Sequence, residues 1–189
     1  MNQEQQTFRR IVTGHNADGK AIILSDTSPE RTYMIGGPKG AKFHEVWNTI
    51  QSPALIDNSQ VEPEETSLVL APPKGGTRIR VIDFPAEGEE IRNLTKDEAN
   101  KHFKSMGGED ASKASQNSPH PLMHRTQTLD YGIVLEGELT LIVDQGETTI
   151  KAGDIVIQRG TNHAWANRSG KVCRMAFILI DGQFANDIN

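Results

Sequence analysis

Two short stretches hold most of the residues able to do chemistry. "HRTQTLD" places His124, Thr126, Thr128 and Asp130 at every second position, and "HAWAN" does the same for His163, Trp165 and Asn167. Side chains two apart on a strand share a face, so each set is expected to line one side of a β-strand. A face of His, Thr, Thr and Asp is too polar for an ordinary core, because buried polar groups cost free energy unless they find partners. Two such strands near the mouth of a barrel would bring both histidines and the aspartate around one cavity.

Imidazole and carboxylate groups gathered there have two chemical uses. His124, Asp130 and His163 can hold one divalent Fe, Mn, Ni or Zn ion, leaving coordination positions for water or substrate. Without an ion, His163 with Asp130 as its carboxylate partner can move a proton in a dehydration, isomerisation or decarboxylation. In the alternative without chemistry, Asp130 bonds the backbone or Thr126 and the histidines are plain pocket residues. Thr126, Gln158, Trp165 and His44 are the expected substrate contacts, Trp165 as a stacking wall on the face of His163. Gly132 leaves room beside Asp130, which favours a cavity, although a strand kink would equally call for glycine. His120, between two prolines, is expected to face solvent, and His15 and His102 read as surface. Cys173, in "KVCRMAFILI", reads as a buried, inert thiol.

The elements that must position these groups are mostly strands. "FRRIVTGHNADGKAIILSD" is a hairpin about an Asn-Ala-Asp-Gly turn, and a strand is expected from Phe43 to Asn48. Residues 50–66 are loop, and "TSLVLAPPKGGTRIRVIDFPA" reads as two strands about a Pro-Pro-Lys-Gly-Gly turn. Thr95, with Glu98 at the capping-box position and Gly107-Gly108 as a stop, marks one helix over 95–106. The polar segment 107–120 is a loop expected to close over the pocket. Strands then follow at 122–136, 138–144, 147–151, 154–158, 163–167 and 172–181, separated by Gly-containing turns.

The chain of 189 residues is of single-domain length, with a net charge of −5. No Lys/Arg stripe interleaves with aromatics, so nucleic acid is not an expected partner. No apolar run approaches the ~20 residues a membrane helix needs. The first residues lack a basic region followed by an apolar core, and the expectation is a cytoplasmic protein.

These motifs resemble the cupin superfamily. Its first motif has His-x-His, three or four residues, Glu, six residues, Gly; here His124, Thr126, Asp130 and Gly137 stand at those places. Its second motif is matched by Gly153, Gly160, His163 and Asn167, with Gln158-Arg159-Gly160 where Pro-x-Gly is usual. The resemblance covers residues 77–184. It implies an all-β, double-stranded β-helix (jelly-roll) barrel over 77–189, with a helix and loop insertion at 95–120. Residues 1–76 would be a β-strand extension packed on or swapped with the barrel, and the family's habit implies a homodimer. Tyr131, Ile133 and Leu135 would face away from the cavity and need cover. The ligand set departs from the family's three His and one Glu, since Thr126 replaces a histidine and Asp130 the glutamate. The implied function is a small-molecule enzyme, oxygenase or lyase and isomerase type, with a non-catalytic ligand-binding module as the alternative.

Overall fold

Alternating apolar residues cut by frequent turns give eleven strands and two short helices in the computed structural model, which describes residues 7–57, 67–108, 110–113, 115, 117–186 and 188. The larger sheet is antiparallel and has six strands. In spatial order they are β3 (Thr32–Ile35), β4 (Ala41–Thr49), β5 (Thr77–Phe84), β11 (Cys173–Asp181), β6 (Thr128–Glu136) and β9 (Ile155–Arg159). A smaller sheet has the order β10 (His163–Ala166), β7 (Glu138–Val143), β8 (Gly146–Lys151). Among the described residues the hairpin β1 (Arg10–His15) and β2 (Ala21–Thr27) forms its own two-stranded sheet, about the expected turn.

Inward-facing residues of both sheets form one core, with Phe43, Ile82, Val134, Met175, Phe177 and Leu179 from the larger and Leu139 and Ile150 from the smaller. Each such side chain contributes roughly 1.5–3 kcal/mol when fully buried. Trp165 on β10 meets Phe177 on β11 edge to face at 5.3 Å, so aromatic packing holds the two sheets together. This is the all-β jelly-roll arrangement that the motifs imply. Part of the N-terminal region is integral to it, since β3 and β4 complete the large sheet beside β5.

Four elements differ from expectation, the first being β3, a strand not expected from the sequence. The strand expected before the Pro72-Pro73 turn does not form. The Val69 carbonyl instead accepts from Arg80 Nη2 (2.6 Å), and Leu70 N donates to the Met106 carbonyl (2.7 Å). A short helix, α1 (Glu89–Arg92), precedes the expected one, α2 (Lys96–Lys104). Thr95 caps α2 in a full capping box with Glu98, and α2 buries Ala99 and Phe103. Finally, β6 begins at Thr128 rather than Leu122. The segment before it belongs to the other sheet, where His124 bridges His163 on one side and Ser112 on the other. Residues 58–66 of the expected loop lie outside the described residues.

Candidate functional site

A cavity of about 560 Å³ lies between the sheets, within the 300–1,000 Å³ range of small-molecule sites. Four of the six phenylalanines (Phe43, Phe84, Phe103 and Phe177) and one of the two tryptophans (Trp165) line it. Its polar groups include His124, His163, Thr126, Asp130, Arg80 and His102. The rim is made by α1, α2 and the β3–β4 turn at Gly36, Pro38, Lys39 and Gly40. No described residue of the 107–120 loop lines it, a correction to the expected lid. The reason is visible in the backbone: Lys113 N donates to the Met123 carbonyl (3.0 Å) and Arg125 N to that of Ala111 (2.8 Å), which holds the loop against the strand segment.

The two histidines are brought together by the backbone itself. His124 N donates to the His163 carbonyl (2.8 Å) and His163 N to the His124 carbonyl (2.9 Å). Their rings stand 4.1 Å apart, centroid to centroid. In each, Nδ1 lies near the carbonyl two residues earlier, Leu122 for His124 (3.0 Å) and Thr161 for His163 (2.9 Å). A carbonyl only accepts, so Nδ1 carries the proton and Nε2 is the bare nitrogen of each ring, both rings lining the cavity. Burial lowers both pKa values, that of His124 to about 4, and the neighbouring ring pushes His163 further down. Both imidazoles are therefore neutral at pH 7.

Asp130 stands apart from this pair. Between His124 and Thr128 the chain passes from the small sheet to the large one, so the carboxylate rises from a different wall. It is buried and its Oδ1 has no hydrogen-bond partner among the described residues. Burial raises its pKa to about 6, against the lowering effects of the Thr128 hydroxyl and the Arg80 charge. Thr126 Oγ1 lies 2.8 Å from Thr128 Oγ1, extending the polar row along the wall. Among the described residues no three His, Cys, Asp or Glu side chains are grouped so as to hold a metal ion, the expected His124, Asp130 and His163 set included. The two imidazoles alone have the form of metal ligands, with Nε2 bare and Nδ1–H fixed by a carbonyl.

The remaining expectations divide. Trp165 lines the cavity and meets the His163 ring edge to face at 5.3 Å. Gln158 is buried but does not line the cavity. Its amide oxygen accepts from the Thr161 hydroxyl (2.6 Å), so it braces the turn before His163. His44 is likewise absent from the lining, because on β4 it is Phe43 that turns inward. His44 lies on the opposite side, with Nε2 3.1 Å from Asp83 Oδ2 and Phe8 packed edge to face on its ring. At Gly132 the space is taken: a Cβ there would sit 3.2 Å from the Phe177 ring and 3.3 Å from Met175 Cε. The glycine makes room for core packing, and the cavity lies elsewhere.

Two histidines read as surface prove to be interior. His102 lines the cavity, and desolvation lowers its pKa. His120 is buried, with Nε2 2.9 Å from Glu87 Oε1. The position of His102 directly before Phe103, the inward residue of an amphipathic helix, was the one local signal available.

The cupin domain family, Cupin_2, matches residues 112–180. Phomopsin biosynthesis cluster protein D of Diaporthe leptostromiformis is 32% identical over 189 residues, covering 95% of this chain and 82% of that one. The cupin-domain-containing oxidoreductase fogC of Aspergillus ruber (strain CBS 135680) is 30% identical over 184 residues, covering 95% and 73%. Among solved structures, the cupin domain of Schizosaccharomyces pombe Cnp3 has a TM-score of 0.44 at 10% identity, covering 92% of this chain and 87% of that one. The chain belongs to the cupin superfamily. No helix among the described residues is long and apolar enough to cross a membrane.

Proposed function

We propose that this protein is a cupin-type enzyme that moves a proton on a small, largely apolar organic substrate bound between its sheets. The observation that carries this reading is the pair of bare Nε2 atoms on His124 and His163 lining one cavity with a buried carboxyl group that resists ionisation. An acid and a base whose environments favour the protonated carboxyl and the unprotonated imidazole form a proton donor and acceptor set. His163 takes a proton from the substrate at Nε2, and Asp130 delivers its own to another substrate atom, as an isomerisation or dehydration requires. Thr126 orients the substrate by hydrogen bonding, and the faces of Trp165 and Phe177 hold its apolar body. The aromatic lining and neutral imidazoles favour an uncharged ring-bearing molecule over a charged one.

A second reading is favoured by the two bare nitrogens and by the name oxidoreductase carried by the Aspergillus ruber relative. His124 and His163 would then hold a divalent ion, with Asp130 outside its ligand set. Such an ion, when bound, polarises a carbonyl or hydroxyl oxygen or binds dioxygen. Metal analysis of purified protein, then turnover of candidate neutral substrates by His163→Ala and Asp130→Asn, separates the readings. A metal-free enzyme that loses turnover in both variants while staying folded supports proton transfer. Stoichiometric metal lost in His163→Ala supports the second reading, and tight binding without turnover in the wild type indicates a ligand-binding module.

A further inference from the structure

His120 has no place in the chemistry described so far, yet it is 4% exposed and fully engaged. Leu122 N donates to its Nδ1 at 3.1 Å, so Nδ1 is bare and the proton sits on Nε2, which donates to Glu87 Oε1 at 2.9 Å. The carbonyl of the same Leu122 accepts from His124 Nδ1. One residue's main chain is thus held at its N–H by His120 and at its C=O by His124. A hydrogen bond from Met123 N to the His120 carbonyl (3.3 Å) closes the turn around them. The outer end is anchored as well, since Glu87 N donates to the Asn167 carbonyl (2.8 Å) at the end of β10, the strand that carries His163.

We propose that His120 is a positioning residue for His124, and that the path Glu87–His120–Leu122 fixes the His124 tautomer that presents a bare Nε2 to the cavity. The physical reason is local. Loss of the acceptor on the Leu122 N–H frees rotation about the Leu122 Cα bonds, the Leu122 carbonyl on the far side of that Cα turns away, and the His124 ring loses the partner that selects Nδ1–H. The ion-holding reading needs that nitrogen bare, and the proton-transfer reading needs a neutral His124 ring beside His163, so the inference rests on the proposed use of this site. The tautomer itself is observable without substrate or metal.

Long-range nitrogen–proton NMR of histidine-labelled protein tests it, comparing wild type, His120→Ala, His120→Asn and Glu87→Ala. In wild type His124 should show one tautomer, protonated at Nδ1. In His120→Ala its two nitrogens should move toward a common averaged shift while those of His163 stay in place, which controls for the fold. His120→Asn should restore the wild-type pattern, because an amide oxygen can accept from Leu122 N where Nδ1 did. Unchanged His124 nitrogens in a folded His120→Ala would overturn the proposal. Where His120→Ala does not fold, Glu87→Ala decides: averaging at His124 supports the path, and a single Nδ1–H tautomer contradicts it. Failure here leaves the function tests standing, since they read turnover and metal and not tautomer.

Discussion

His124 and His163 are tied to each other by two main-chain hydrogen bonds, and in each the ring turns Nδ1 toward the carbonyl two residues back. Positions in such a hydrogen-bonded antiparallel pair project their side chains to the same side. Two histidines 39 positions apart in number are in this way held as one unit, whatever occupies the cavity.

Asp130 is expected to cost stability at neutral pH. Its folded pKa lies near 6, above the ordinary 3.8, so the native state binds more protons than the unfolded chain between those values. Stability therefore falls as pH rises through that window, and the full cost is present above pH 6. Asp130→Asn should raise the unfolding free energy at pH 8 by up to about 3 kcal/mol, from a shift of about two units. The gain should shrink toward zero as pH falls to 4. Urea denaturation at pH 4.5 and 8 measures it, and an equal effect at both values would rule out a buried, ionised Asp130.

The same shifts set the pH dependence of proton transfer. Asp130 must keep its proton, which it loses above about 6, and the imidazoles must stay bare, which His124 does down to about 4. The profile of kcat/KM should fall as pH rises past about 6, with its acidic limb lying well below the ordinary imidazole range because burial lowers His163. A rate that rises through pH 7 to a plateau would remove Asp130 as the donor.

Helix α2 carries His102 and Phe103 to the cavity wall, and Phe103 lies 5.0 Å from the His124 ring. Thr95→Ala removes the cap and should lower stability by ~1 kcal/mol. Amide exchange should show the first turn of α2 opening before the sheets do; uniform loss across the fold would contradict a local capping role.

The outer face of β6 and β9 supplies a place for the homodimer expected from the sequence. Tyr131, Leu135, Ile155 and Ile157 are 36%, 49%, 63% and 52% exposed, and β9 is an edge strand. Contiguous exposed apolar groups of this kind mark association sites. Sedimentation should give a dimer that Ile157→Lys converts to monomer. A monomeric wild type, or a dimer indifferent to Ile157→Lys, would place no interface here.

Much of this architecture was legible in the sequence. Alternation and Gly-containing turns located β7 to β11 to within a residue or so, and the Thr95 and Glu98 pair located α2. The site was legible where it depends on strand alternation within one element, as with His163 and Trp165 on β10, and Thr126 and Asp130 line the cavity as well. It was not where partners are distant. Nothing local shows that the chain changes sheets between His124 and Thr128, which separates Asp130 from the histidines. His120 finds Glu87 across 33 positions, and His44 finds Asp83 across 39, contacts that no short-range pattern carries. Gly132 was ambiguous for the same reason, since only the facing β11 strand decides whether Phe177 fills the gap.

The claim on which the rest depends is that both histidines are neutral and offer Nε2 to one cavity. A pH titration of the histidine ring nitrogens tests it most directly. Both His124 and His163 should remain Nδ1–H tautomers, uncharged from pH 8 down to 5, with His124 reaching its midpoint near 4. Either ring titrating near 6.5, or carrying its proton on Nε2, would contradict the account.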